Sequence, residues 1–132
     1  CGHSHCGAIR ALYDEVPAAA QNLGRWLDLG REAVLPMAES GTEVMRRTEQ
    51  RAIVLQLERL MDYPMVRERV EARRLTLHGW HYVIEDGEVH VFDVALGRFV
   101  PAAEAEHAGT GPYHFGDPDD PDLLDASGVP LV

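Results

Sequence analysis

The chain has 132 residues, of which 45% are hydrophobic, and it carries a formal net charge of −10. This length fits one domain of ordinary size, and the hydrophobic share argues against wholesale disorder. The acidic balance excludes a basic footprint for nucleic acid or for an anionic membrane surface, and no apolar run approaches the ~20 residues that a membrane span needs.

The sequence opens with CGHSHCG, which holds two cysteines and two histidines within seven residues. Thiolate and imidazole are both normal zinc donors, and the HxxC spacing of His3 and Cys6 is compact enough for one metal ion. Other interpretations stay open from these residues alone: buried cysteines, a Cys1–Cys6 disulfide, or a metal site that also uses Cys1 and His5. The four-donor site is the least favoured, because four donors in six residues are cramped.

Three helical segments are predicted before residue 40. Residues 8–13 read as a short helix, and Pro17 follows soon after its end. Residues 18–29 form a second helix that closes near Gly30. Residues 31–39 form a third segment, which is less regular because it contains Pro36.

The strongest predicted helix covers residues 42–62, with Thr42 as its N-cap. The spacing of the apolar residues puts one set on the buried face: Ile53, Leu57, Leu60 and Met61. The polar remainder of the helix comprises Arg46, Arg47, Glu49, Gln50 and Glu58. Tyr63-Pro64 breaks this helix, and residues 65–73 form a further short one.

From Leu75 to Val94 the hydrophobic period changes to two, which is typical of strands. The alternation predicts that Leu75, Leu77 and Val83 point one way and that Trp80, Tyr82 and Ile84 point the other. Asp86-Gly87 predicts a hairpin with a two-residue type I′ turn, and the sequence ALGRF predicts a second turn. Because both faces are partly apolar, we expect the hairpin to be covered on both sides.

The last segment, residues 102–132, is rich in Gly, Pro and Asp and carries acidic but no basic side chains. We expect it to be an extended or flexible tail. A hairpin and several helices make a poor core unless the strands join a larger sheet, and residues before Cys1 would supply the natural next strand. The pattern therefore predicts an α/β domain that is cut part-way through.

Read together, these segments resemble one family. The opening GHSHCGA, the Tyr-Pro after a long helix, the VREXV-type segment VRERV and the hairpin LHGWHYVIEDGEV occur in the order and at the spacing seen in β-class carbonic anhydrases. The resemblance extends from Cys1 to about Pro101. It implies an α/β fold in which helices and a C-terminal hairpin extend a central, mostly parallel sheet.

The resemblance implies a zinc enzyme, a lyase that hydrates carbon dioxide reversibly to bicarbonate. His3 and Cys6 match two of the family's three protein zinc ligands, while His78 and Trp80 match the family's hairpin, where packing is favoured over chemistry. The third ligand and an Asp-Arg pair belong to a C-x-D-x-R segment that precedes the motif in the family and has no counterpart here. No residue of this chain is therefore expected to be catalytic in its own right.

The family also implies a cytoplasmic homodimer or higher homo-oligomer when full length, without nucleic acid or membrane partners. With two protein donors, the chain alone is expected to be inactive. The alternative function is a non-catalytic remnant that acts as a binding or oligomerisation module.

Overall fold

A computed structural model describes residues 1–35 and 41–105 of the chain. Part of the predicted third helical segment, and nearly all of the predicted acidic tail, lie outside these residues. Four helices are described: α1 (Gly7–Ala11), α2 (Gln21–Asp28), α3 (Thr42–Met61) and α4 (Pro64–Glu71), with a short 3₁₀ helix at Arg31–Ala33. Four strands accompany them: β1 (Gly2–His3), β2 (Trp80–Val83), β3 (Glu88–Asp93) and β4 (Arg98–Pro101).

The strands form one sheet in the order β1-β2-β3-β4. β1 runs parallel to β2, with Gly2 opposite His81, whereas β2, β3 and β4 pair antiparallel. The predicted α/β class is therefore confirmed, and the first strand of the C-terminal hairpin, β2, forms the parallel pair with β1. No helix in residues 1–35 or 41–105 is long and apolar enough to cross a membrane.

Helix α3 contacts β1 and β2 as well as α1 and α4. The structure has two clusters of buried apolar residues. One consists of Ile9, Leu12 and Leu27, and the other of Leu57 from α3 with Val70 and Leu77. Tyr63-Pro64 separates α3 from α4 as predicted, with Pro64 in the first turn of α4, where its missing N–H has no intrahelical partner to lose.

The buried face of α3 differs from the predicted one. Gly41, rather than Thr42, is the N-cap, and Leu60 is 40% exposed. Glu49, predicted on the polar remainder, is only 3% exposed. The physical reason is the helical period. Positions 49, 53 and 57 are four residues apart, so their side chains lie on one side of the helix. The buried side of α3 therefore starts at Glu49, one turn before the first apolar residue of the predicted set.

The hairpin keeps the predicted alternation but not the predicted turn or cover. His81 and Val83 are buried, while Trp80, Tyr82 and Ile84 are each between 43% and 49% exposed, so the outer face is uncovered by residues 1–35 and 41–105. The connection between Val83 and Glu88 has four residues. Only Gly87 in it has a positive φ, 66°, so a two-residue type I′ turn is wrong.

Candidate metal centre

The motif CGHSHCG folds as a strand, a tight turn and a helix start. His3 ends β1, and Cys6 is the N-cap of α1. The parallel pairing of β1 with β2 continues into the turn, where the Ser4 N–H donates to the Tyr82 carbonyl oxygen at 2.9 Å. His5 adopts a left-handed conformation with φ of 58°, which reverses the chain between strand and helix. The two predicted zinc ligands therefore lie on either side of one turn that is bonded to the sheet.

The ring of His3 is oriented by a hydrogen bond at 2.8 Å between its Nδ1 and the Ser4 carbonyl oxygen. A carbonyl oxygen can only accept, so Nδ1 carries the proton and donates. The lone pair of the neutral ring is then on Nε2. A backbone carbonyl that fixes the tautomer in this way is the usual outer partner of a metal-ligating histidine.

Cys6 is held from α3. Its backbone N–H donates to Glu49 Oε1 at 3.1 Å, and Glu49 Oε2 accepts from His81 Nε2 at 3.0 Å. His81 is fully buried, and its burial lowers the pKa of its ring although the hydrogen bond and the charge of Glu49 act in the opposite direction. Burial thus favours the neutral form of the ring, and its Nδ1 has no hydrogen-bond partner among the described residues.

The other side of the turn is bound to Glu85, in the hairpin loop. The Ser4 hydroxyl donates to Glu85 Oε2 at 2.6 Å and accepts the Ile84 N–H at 2.9 Å. His5 Nε2 lies 2.6 Å from Glu85 Oε1. The Ser4 hydrogen bond, assisted by a backbone hydrogen bond and by His5, lowers the pKa of Glu85 to about 2. His5 is thus engaged by Glu85 on the hairpin.

His3 and Cys6 line the same cavity, which has a volume of about 620 Å³ between the motif, α2 and α3. Cys1 and Glu49 also line it, and apolar side chains of α1, α2 and α3 supply much of the remaining wall. His78 lies at this cavity too, where burial lowers its pKa and its ring meets Trp80 edge-on with centroids 6.3 Å apart.

The alternatives that the motif left open are not formed. Cys1 and Cys6 are both free thiols, so the disulfide is absent from the described chain. Residues 1–35 and 41–105 contain no group of three or more His, Cys, Asp or Glu side chains that could hold a metal ion. The cramped site of Cys1, His3, His5 and Cys6 is therefore wrong, whereas the two-ligand assignment to His3 and Cys6 stays a prediction.

Two residues that shape this centre, Glu49 and His81, escaped the sequence interpretation. Glu49 belongs to the polar remainder of the predicted helix, and the sequence interpretation gives His81 no role in a site. A signal for Glu49 exists in its spacing of four from Ile53 and eight from Leu57, which marks the buried stripe. The signal for His81 is its alternation with Val83 in β2.

Comparison with known proteins gives consistent results. The family model described as carbonic anhydrase matches residues 1–89. Carbonic anhydrase 1 of Escherichia coli O157:H7 is 36% identical over 78% of this chain and 49% of its own length. A carbonic anhydrase of Pseudomonas aeruginosa is 36% identical over 79% of this chain and 50% of its own length.

The fold agrees with the sequence comparison. A solved structure titled "The structure of the beta-carbonic anhydrase CcaA" superposes with a TM-score of 0.69 and 34% identity. The superposition covers 76% of this chain and 48% of that one. The chain thus spans about half the length of the relatives that it matches.

Proposed function

The chain belongs to the β-class carbonic anhydrase family, and from this premise we propose that it supplies part of a zinc-dependent enzyme that hydrates carbon dioxide reversibly to bicarbonate. The observation that carries the proposal is the pair of donors in the family motif: His3 and Cys6 line one cavity on either side of a turn bonded to the sheet. Residues 1–101 would form the enzyme's domain, with residues 102–132 as a tail.

The two residues fit a zinc ion by their chemistry. His3 offers Nε2, because its Nδ1–H is already bonded to the Ser4 carbonyl oxygen. Cys6, the N-cap residue of α1, offers its sulfur, and zinc is commonly bound by cysteine thiolate. The chemistry that zinc supplies when bound is acidification of a water molecule, whose pKa falls to about 7 in a carbonic anhydrase with three histidine ligands.

The remaining work falls to the chain's own residues. The turn of Ser4 and His5 holds the spacing of the two donors, because it is bonded both to β2 and to Glu85. The apolar wall of the cavity, which includes Ile9, Ile53 and Leu57, suits an uncharged substrate such as carbon dioxide better than an ion. Glu49 at the cavity wall is bonded to Cys6 and His81, so we assign it no proton transfer.

We extend the proposal to assembly and compartment. The exposed apolar side chains of Trp80 and Tyr82 on β2, and of Ile84 directly after it, support a homodimer or higher homo-oligomer, because exposed apolar side chains are stabilised by burial. Two free thiols support a reducing compartment such as the cytoplasm. The same exposed side chains favour the second candidate function, a non-catalytic oligomerisation module.

A reconstitution experiment tests the proposal. The 132-residue chain with added zinc should hydrate carbon dioxide no faster than buffer, since an open catalytic zinc site needs three protein ligands. Fusion to the family segment that carries the third ligand, taken from the Pseudomonas aeruginosa relative, should restore activity in stopped-flow assays. His3→Ala and Cys6→Ala should then abolish it, whereas His107→Ala in the tail should leave it unchanged.

Each outcome of that experiment is decisive. Robust hydration by the chain alone would contradict the ligand-count argument. A folded fusion that binds zinc but stays inactive would favour the oligomerisation module. An active fusion that tolerates Cys6→Ala would show that the assignment of the ligands is wrong.

A further inference from the structure

We infer that Glu49 is a positioning residue for the metal centre: its buried carboxylate fixes the backbone of Cys6, and thereby the direction of the Cys6 thiolate. The inference rests on the proposed function for the role of Cys6 as a ligand. It concerns a residue of α3, 43 positions away from Cys6 in the chain. Glu49 does not itself belong to the proposed ligand set.

The carboxylate of Glu49 is buried. Glu49 is 3% exposed, and burying an ionised carboxylate is costly unless donors replace its lost water. Its donors are the Cys6 N–H at 3.1 Å and His81 Nε2 at 3.0 Å. One of the two contacts that make this buried position tolerable is therefore a backbone group of the metal motif.

Helix α1 is too short to be stable by itself. This helix has five residues, and its N-cap makes no side-chain capping bond. So short a helix is only marginally stable without tertiary contacts, because the free-energy cost of nucleating it exceeds the stabilisation from its few hydrogen bonds. The Cys6 N–H donates to Glu49 on α3, so the direction in which the chain enters α1 depends on α3.

One ring nitrogen of His81 makes no hydrogen bond to the described residues. This nitrogen, Nδ1, is buried and accepts no hydrogen bond from the described residues. The ring can therefore carry its proton on Nδ1 instead of Nε2 without losing a hydrogen bond at Nδ1. In a Glu49→Gln variant the amide oxygen would then accept from Cys6 while the amide NH₂ donates to His81 Nε2. The acceptor for Cys6 can thus be kept without the charge.

A matched set of variants at Glu49 can therefore separate the hydrogen bond from the charge. All are made in a Cys1→Ser background, so that thiolate-to-cobalt absorption reports Cys6 alone. Glu49→Gln keeps a hydrogen-bond acceptor for the Cys6 N–H. Glu49→Met keeps the shape of the side chain but removes that acceptor. Glu49→Asp keeps the charge but is one methylene shorter. The control is Thr48→Val on the same turn of α3, which removes a buried hydroxyl bonded to Tyr13 and Val44 without touching Cys6.

The first readout needs no metal: the hydrogen-exchange rate of the Cys6 amide, measured by NMR. It should rise at least about tenfold, the change expected when ~1.4 kcal/mol of local protection is lost, in Glu49→Met and Glu49→Asp. It should change by less than about threefold in Glu49→Gln, and in Thr48→Val after correction for global stability. Should Glu49→Met fail to fold, the contrast between Glu49→Gln and Glu49→Asp carries the test.

The second readout is cobalt affinity, titrated through the thiolate-to-cobalt absorption band. Loss of an outer partner of a metal ligand typically weakens affinity about 10–100-fold, and we expect this in Glu49→Met but not in Glu49→Gln or Thr48→Val. The inference is overturned if Cys6 exchange is unchanged in Glu49→Met, or if Thr48→Val weakens cobalt binding equally.

The two hypotheses fail in different ways. If wild type and His3→Ala give the same cobalt spectrum, the proposed ligand pair is wrong, while the Cys6 amide still reports whether Glu49 holds the backbone. If wild type binds cobalt through His3 and Cys6 but Glu49→Met binds as tightly, only the positioning role is overturned.

Discussion

Gly2, the residue before His3, fits against α3 so closely that the smallest side chain should disturb the motif. A Cβ built at Gly2 would lie 3.0 Å from both Cδ1 and Cγ1 of Ile53, whereas ordinary contacts are 3.4–4 Å. Ile53 is 6% exposed, and a β-branched side chain in a helix is confined largely to one χ1 rotamer. Neither partner can move freely, so we expect Gly2→Ala to cost about 2 kcal/mol of unfolding free energy, within the usual range for overpacking.

A double-mutant cycle separates this contact from any general effect of alanine. Ile53→Val deletes Cδ1, one of the two crowded atoms, and by itself should cost about 1 kcal/mol. In that background Gly2→Ala should cost only about 1 kcal/mol, which gives a coupling of about 1 kcal/mol between the two sites. Gly7→Ala is the matched control, because a Cβ there meets nothing within 4 Å and alanine favours a helix.

The assay is urea unfolding of the four proteins of the cycle and of the Gly7→Ala control, followed by tryptophan fluorescence and circular dichroism. Equal m-values would confirm that the differences lie in stability. If Gly2→Ala costs the same in both backgrounds, or no more than Gly7→Ala, β1 does not pack on Ile53 and the reasoning fails. The cobalt affinity of Gly2→Ala should fall together with its stability, since His3 follows directly.

Two further predictions concern pH. Because burial lowers the pKa of His81 below 6.5, the unfolded chain takes up a proton first as the pH falls, so wild type should lose stability from pH 7.5 to 5.5. His81→Gln, which can still donate to Glu49, should lose less in urea unfolding, and parallel curves would contradict this. The Glu85 pKa of about 2, set mainly by Ser4, stabilises the fold above about pH 4.5, and this contribution is lost as the pH falls towards 2. The stability gap between wild type and Ser4→Ala should therefore narrow from pH 5.5 to 3.5, and a constant gap would show that the Ser4 hydroxyl does not hold the Glu85 carboxylate.

Local patterns in the sequence were sufficient for much of the fold. The break at Tyr63-Pro64 and the alternation of β2 depend on residues that are neighbours in the chain, and both were predicted at their observed places. The turn between Val83 and Glu88 was predicted in position but not in type, because Gly87 alone supplies the positive φ. The strand itself starts at Trp80, later than Leu75, since residues between them do not pair along the sheet except at an isolated bridge.

By itself, the sequence determined the donor pair His3 and Cys6 as a candidate, because ligand type and spacing are properties of one short segment. Only the tertiary structure decided what orients that segment. Glu49 bonds Cys6 across 43 positions, and it bonds His81 across 32. A helical period fixes which residues share a stripe, but the sheet decides which stripe is buried. From the sequence alone, a buried charged residue on that stripe looks the same as a solvent-exposed one. Only the fold shows the hydrogen-bond donors, distant in the chain, that make its burial possible.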